Sequence, residues 1–285
     1  MTSRSLILAG GGLKIAYQAG VLQVWLDEAG VEFDHADGVS AATFNVAMWC
    51  QGMSGRRIAD NWRDFRPLRG ISPNVREIPR LPLGSASSLL TYQRIRRNVF
   101  PQWSLDWNAI RATPRHASFN VYNFTTQQLE VLPPAAMSED LLVATGSLPI
   151  WFPPVTVDGQ VYVDAVHATG ANLRYAVDHG ADELWIIWTT STAGRWKNGF
   201  VGEYFNIFEE ATNSRLRADL ADIERSNARL ARGEDGSYGR HIRVRMLQAE
   251  VPLHYLLNFR HRRFVEAVET GVRDARTWCS AQGLL

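Results

Sequence analysis

The stretch DGVSAATFNVAMW, Asp37 to Trp49, decides how this chain is read. A short segment from Phe33 to Val39 leads into Ser40, and Ala41 to Trp49 is rich in residues that suit a buried helix. Strand, sharp turn and helix with serine at the turn is the arrangement that lifts a reactive hydroxyl out of a sheet. Alanine occupies position 42, where such turns usually carry glycine. Taken alone, Ser40 suits a helix N-cap at least as well, because its hydroxyl can accept a free N–H of the first turn.

Upstream, SLILA at residues 5–9 runs into Gly10, Gly11 and Gly12, after which Ala16, Ala19, Leu22 and Leu26 suit a buried helix closed by Gly30. The same design is thus used twice. Ligand sites in an open α/β sheet gather at the carboxyl ends of strands, so both turns are expected on one edge, with the three glycines near Ser40. Glycines at a helix start present N–H groups that suit an oxyanion or a phosphate equally. The spacing in GGGLKIA fits neither the nucleotide P-loop nor the dinucleotide fingerprint. It suits an acyl-transfer site in which these N–H groups hold the negative oxygen of a tetrahedral intermediate, with Lys14 adding charge or structural support.

A serine nucleophile needs a base. The seven histidines (His35, His116, His167, His179, His241, His254, His261) show no spacing that singles one out, and His167, three residues after Asp164, is the nearest to a candidate. A carboxylate in a dry site can do the same work, and Asp164 follows the strand VYV at its carboxyl end. Its ordinary alternative is turn capping.

Residues 54–116 change character: Pro67, Pro73, Pro79, Pro82 and Gly84 interrupt the pattern, and ten arginines between Arg56 and Arg97 stand against Asp60, Asp64 and Glu77, an excess of +7. This reads as an inserted cap whose cationic side suits either solvent or an anionic membrane. Phe100, Trp103 and Trp107 are candidate lipid contacts, with packing inside the cap as the alternative. Further on, Asp158-Gly159 sits between two alternating segments as a hairpin signal, and ELWIIW at 183–188 reads as a parallel strand buried on both faces. Strands alternating with helices predict a three-layer α/β/α fold around a mainly parallel sheet. One domain over 1–285 is expected, with the cap at 54–116 and a helical C-terminal extension at 200–285.

A hydrophobic content of 46% with 21% charged residues supports a large core. The net charge of +1 gives no electrostatic argument for a nucleic-acid partner. Cys50 and Cys279 lie far apart and neither has metal-ligand spacing, so no disulfide framework, metal or organic cofactor is expected. The apolar run from Leu6 to Ala9 is too short for a signal-peptide core and no stretch reaches membrane-spanning length. A cytoplasmic protein is expected, at most peripheral to a membrane.

Together these residues resemble the patatin-like phospholipases, lipid acyl hydrolases that use a Ser-Asp dyad without histidine. GGGLKI at 10–15 resembles the family's oxyanion motif, GVSAA at 38–42 its nucleophile elbow flanked by Gly38 and Ala42, and DAV at 164–166 its aspartate motif. AYQAGVL at 16–22 is similar to the family's first helix, and ATGSLPIWFPPVTVDGQVYVD at 144–164 to its approach to the aspartate. Order and spacing match across residues 5–190. The resemblance implies Ser40 as nucleophile, Asp164 as base, Gly10, Gly11, Gly12 and Lys14 as the oxyanion loop, a phospholipid or other acyl-ester lipid as substrate, and no cofactor. Ile15, Ala42 and Ala165 stand where the family carries glycine. A branched residue at 15 can shift the oxyanion N–H groups, which leaves a weak or inactive lipid- or partner-binding relative as one alternative. An acyltransferase using the same dyad is another.

Overall fold

The computed structural model describes residues 3–285, apart from the Leu81 side chain. β1 (Arg4–Leu8) passes through the glycine turn into α1 (Ile15–Leu22), which continues as a π-helical segment to Glu28 and is closed by Gly30 at φ +60°. β2 (His35–Val39) passes through Ser40 into α2 (Thr43–Cys50), and α3 (Gly55–Arg63) follows, its first turn capped by the Ser54 hydroxyl. The arginine-rich segment then forms α4 (Pro67–Gly70), the two-residue strands β3 (Ser72–Pro73) and β4 (Leu90–Thr91), α5 (Phe100–Gln102) and α6 (Trp107–Arg111). After it come β5 (His116–Asn123), β6 (Gln128–Leu132), α7 (Glu139–Thr145), β7 (Val155–Val157), β8 (Gln160–Asp164) and α8 (Leu173–Asp178). β9 (Glu183–Trp188), α9 (Phe200–Ala231), β10 (Arg243–Gln248) and α10 (His261–Ala281) complete the chain.

The main sheet has the order β10-β9-β1-β2-β5-β8-β7, with β6 paired to β5. Pairing is parallel from β10 to β5 and antiparallel for β6, β7 and β8. Unbroken apolar strands need cover on both faces, and here successive residues point into two cores. Leu6, Leu8, Trp185 and Ile187 pack with α1, α2 and α10, while Ile7, Leu184, Ile186 and Trp188 pack with α8 and α9. That is the three-layer arrangement. Asp158 and Gly159 take φ +48° and +76°, the left-handed pair that a tight two-residue hairpin requires.

One expectation is corrected. Residues 200–285 are not an appended helical extension: β10 joins the main sheet beside β9, and α10 packs along α1. Asp164 lies at the carboxyl end of β8, the second arm of the hairpin, which runs antiparallel to β5. β5 pairs with β2 through residues 116–120 and with β8 through residues 121–123, while β6 covers residues 119–123. A strand has only two edges, so β2 and β8 share the edge opposite β6. They run toward each other along it and meet head to head, Val39 beside Asn120 and Asp164 beside Val121. This collision of strand ends places Ser40 next to Asp164.

Among the described residues no helix is long and apolar enough to cross a membrane. The contact of α1 with α10 is made at glycines: a Cβ on Gly20 would lie 2.1 Å from the Val268 carbonyl oxygen, and one on Gly271 would lie 2.2 Å from that of Tyr17. Gly20→Ala is therefore expected to lower stability by about 3 kcal/mol in urea unfolding, as overpacking against rigid backbone does. A loss below about 0.5 kcal/mol, the range of a neutral surface change, would contradict this helix crossing.

Candidate active site

At the end of β2 the chain can double back into α2 only over glycine. A Cβ on Gly38 would stand 2.7 Å from Val46 Cγ2 and 3.1 Å from Thr43 Cα. Ser40 itself takes φ +60°, a left-handed conformation that costs a non-glycine residue about 1–3 kcal/mol and persists where surroundings impose it. Those surroundings are polar and buried. Thr43 Oγ1 donates to the Ser40 carbonyl at 2.7 Å and pairs with the Thr145 hydroxyl at 2.7 Å. Asn120 Nδ2 donates to Asp37 Oδ2 at 2.8 Å and to the Gly38 carbonyl at 2.9 Å, and Asn172 Nδ2 donates to Asn120 Oδ1 at 2.7 Å. The elbow is thus tied to β5 on one side and α7 on the other.

Ser40 Oγ donates to Asp164 Oδ2 at 2.5 Å. The other carboxylate oxygen accepts the Val166 N–H at 2.9 Å, and the Asp164 N–H donates to the Ser147 carbonyl at 3.0 Å. Both side chains are nearly dry, Ser40 at 6% and Asp164 at 3% exposure. Burial raises the Asp164 pKa to about 7, against the opposing pull of the hydrogen bonds from Ser40 and Val166. A carboxyl group with that proton affinity can take a proton from serine and return it near neutral pH.

The glycine turn lies directly against this pair: a Cβ on Gly10 would sit 2.8 Å from Val166 Cγ2 and 3.1 Å from Ser40 Cβ. Its N–H groups are not equivalent. Gly10 N–H donates to the Gly170 carbonyl at 2.9 Å and is committed to holding the turn. Leu13 N–H, which no motif singles out, donates to the Tyr255 carbonyl at 2.6 Å. Gly11 and Gly12 N–H have no acceptor among the described residues, and Gly12 lines the cavity over Ser40. Lys14 is buried with its Nζ 4.1 Å from the centre of the Tyr255 ring, and burial lowers its pKa to about 8. Its contact is with the segment covering the site, a supporting position.

The three departures from family glycines are absorbed by the backbone. Ala42 has φ −63° and Ile15 φ −64°, ordinary helical values open to any residue. Ile15 and Ala165 are fully buried in the core. The Ile15 carbonyl accepts from Asn45 Nδ2 at 3.2 Å, which fixes the first turn of α1.

Over Ser40 lies a cavity of about 20 Å³ bounded by Tyr92, Leu148, Phe205, Phe208, Tyr255 and Leu256. A second cavity of about 30 Å³ shares Gly12, Ala41, Tyr92 and Leu256 with it and extends among Phe44, Trp62, Phe65, Ile95 and Trp103. The expected lipid contacts are corrected here. Phe100 and Trp103 are 2% and 1% exposed, Trp103 Nε1 donates to the Asn61 carbonyl at 2.9 Å, and Trp107 is half-buried with its ring 5.8 Å from that of Phe100. Trp103 lines the apolar cavity because its indole finds a polar partner inside, and Phe100 packs behind it in the core.

No histidine lines the Ser40 cavity; His167 is exposed, its Nε2 3.1 Å from the Tyr204 hydroxyl. A cleft of about 530 Å³ lies at the opposite end of the sheet, where β2 and β5 begin, and holds His35, His116 and His179. His35 is clamped there between the Ser5 and Ser118 hydroxyls at 2.7 and 2.8 Å, and burial pushes its pKa down to about 4. That cleft is remote from the Ser-Asp pair. Among the described residues no group of three or more His, Cys, Asp or Glu is placed to hold a metal ion.

A profile of the family described as patatin-like phospholipase matches residues 6–177. The crystal structure of VipD from Legionella pneumophila is similar at 13% identity, the alignment covering 99% of this chain and 67% of that one with a TM-score of 0.48. No curated protein matches the chain. The matched residues take in the glycine turn, Ser40 and Asp164, and the chain belongs to the patatin-like phospholipase family.

Proposed function

We propose that this protein hydrolyses acyl esters of phospholipids or related lipids through an acyl-enzyme on Ser40. The observation that carries this reading is the 2.5 Å hydrogen bond from Ser40 to a buried carboxylate whose proton affinity is raised to about pH 7. Ser40 Oγ attacks the ester carbonyl carbon while its proton passes to Asp164 Oδ2. The carbonyl oxygen, now an anion, is held by the N–H groups of Gly11 and Gly12. As the tetrahedral intermediate collapses, the alcohol leaves with the proton from Asp164, and the acyl group stays on Ser40. Water then attacks, its proton going to Asp164, and the fatty acid is released with the serine restored. The apolar walls of the adjoining cavity, with Phe44, Trp62, Phe65 and Trp103, support a lipid ester rather than a polar one as substrate, although at about 30 Å³ the cavity must widen to take an acyl chain.

Asp164 must be ionised to act as base, and its pKa is raised to about 7. Hydrolysis of p-nitrophenyl butyrate is therefore expected to rise from pH 6 to 8 with a half-maximum near 7 and then level off. Ser40→Ala and Asp164→Asn should each lower kcat/KM by about 10³-fold with the fold intact, as loss of a nucleophile or its base does. A flat profile, or activity retained in both variants, would sink the dyad. With glycerol or lysolipid added, free fatty acid is expected as the product; a newly acylated alcohol in excess of it would favour acyl transfer instead.

Stability gives a second, independent reading of the same carboxyl group. Its folded pKa is raised, so the folded state binds the proton more tightly than the unfolded chain, and this contribution is lost as pH rises toward 7. Above pH 7 the buried charge is a cost, at most about 4 kcal/mol for a shift from 3.8 to about 7. Asp164→Asn should accordingly stabilise the protein in urea at pH 8, and that gain should vanish near pH 4. An equal effect at both values would mean the group is not buried as a carboxylate.

A further inference from the structure

The site as it stands is closed. A cavity of about 20 Å³ over Ser40 holds a water molecule and no ester group. What closes it is the segment Val251–Leu257, which has no regular structure and crosses the mouth between β10 and α10. Its main chain makes one hydrogen bond outside itself among the described residues, and the donor is Leu13 N–H in the glycine turn. The Tyr255 carbonyl oxygen thus sits on the N–H next after Gly12, beside the two N–H groups assigned to the oxyanion. It comes so near that a Cβ on Gly12 would lie 2.2 Å from it.

We propose that Val251–Leu257 is an inhibitory strap that closes the cavity over Ser40, its Tyr255 carbonyl lodged against the glycine turn beside the Gly11 and Gly12 N–H groups, and that an anionic lipid surface draws it off. This rests on Ser40 being the nucleophile.

The polar anchors of the strap gather on one residue. The Tyr255 hydroxyl donates to Glu209 Oε1 at 2.9 Å and accepts from Ser191 N–H at 3.0 Å, and its ring stacks on Phe205 at 4.9 Å. Val251, Leu253 and Leu256 add buried apolar contacts. The remaining main-chain bonds are local: Leu256 and Leu257 N–H both donate to His254 Nδ1, at 3.1 and 3.0 Å. Among the described residues no main-chain ladder ties the segment to the sheet, so it can lift without unfolding the strands beneath it. Leu256 lines both the Ser40 cavity and the apolar cavity, so lifting the strap joins the two into one channel.

The trigger is written on the outer side of the same segment. Leu257 and Phe259 are exposed at 36% and 49%, with Arg260 exposed beside them. His261 Nδ1 donates to the Phe65 carbonyl at 2.9 Å, which brings this end of the strap to the insert, where Arg66, Leu68 and Arg69 are also exposed. Apolar side chains interleaved with arginine are what an anionic bilayer takes up. Burial of Leu257 and Phe259 in lipid would pull the strap outward from the turn.

The test is the rate of fluorophosphonate labelling of the full-length protein, with amide exchange at Leu13 followed in parallel. Wild type is expected to label slowly in buffer and to speed up at least tenfold with phosphatidylcholine–phosphatidylserine vesicles. Tyr255→Phe, which keeps the ring but loses two hydrogen bonds, should label about tenfold faster in buffer and expose the Leu13 amide. Leu256→Ser should do the same, and thermal unfolding checks that each is folded. Equal labelling of wild type and both variants, with the Leu13 amide deprotected only in the variants, would overturn the strap while leaving Ser40 as nucleophile. A protected Leu13 amide with no response of wild type to vesicles would overturn the lipid trigger. If no form labels even where Leu13 is deprotected, the reading of Ser40 falls and the strap with it.

Discussion

The structure depends on a carboxylate kept out of water with one hydroxyl as its partner. The Ser40–Asp164 hydrogen bond joins residues 124 positions apart, and nothing local in either segment makes it. It exists because two strands running in opposite directions occupy the same edge of β5 and end one residue apart. A buried carboxylate is costly, and its proton affinity rises until protonation near neutral pH relieves the cost. The same burial that weakens the fold at alkaline pH would, on the proposed mechanism, fit Asp164 to act as the base for Ser40.

Around this pair the chain accepts further local costs. Ser40 is held in the left-handed region by a threonine and an asparagine network, and Gly38 and Gly10 leave out the side chains that would keep backbone and hydroxyl apart. Asp37, one turn of the elbow away, is also buried, and burial raises its pKa to about 7. Two carboxyl groups of this kind behind one strand end make the elbow the least relaxed part of the sheet. The compensation is spread through the cores, where parallel strands are covered on both faces and α1 and α10 touch backbone to backbone.

Much of this was legible in the sequence because it is local. Strand, glycine turn and helix appear twice within fifty residues, Asp158-Gly159 marks its hairpin, and ELWIIW declares a strand without a solvent face. The pairing of β8 with β5 was not legible, since VYV carries no sign of which strand lies beside it beyond its own hairpin. The division of labour within the glycine turn was also hidden. Gly10 spends its N–H on Gly170, and Leu13 meets Tyr255, contacts across more than 150 residues that carry no spacing signal. Trp103 and Phe100 left two readings open because aromatic residues among arginines have one composition whether they face lipid or pack inside, and the Asn61 carbonyl that accepts the Trp103 indole decides for packing.

The central claim is that Ser40, and no other serine, is chemically activated by Asp164. It is tested most directly by mapping a fluorophosphonate adduct by mass spectrometry with lipid vesicles present. The account predicts one adduct, on the peptide carrying Ser40, absent from Ser40→Ala and reduced to background in Asp164→Asn. An adduct on a different serine, or one that persists in Asp164→Asn at the wild-type rate, would contradict it.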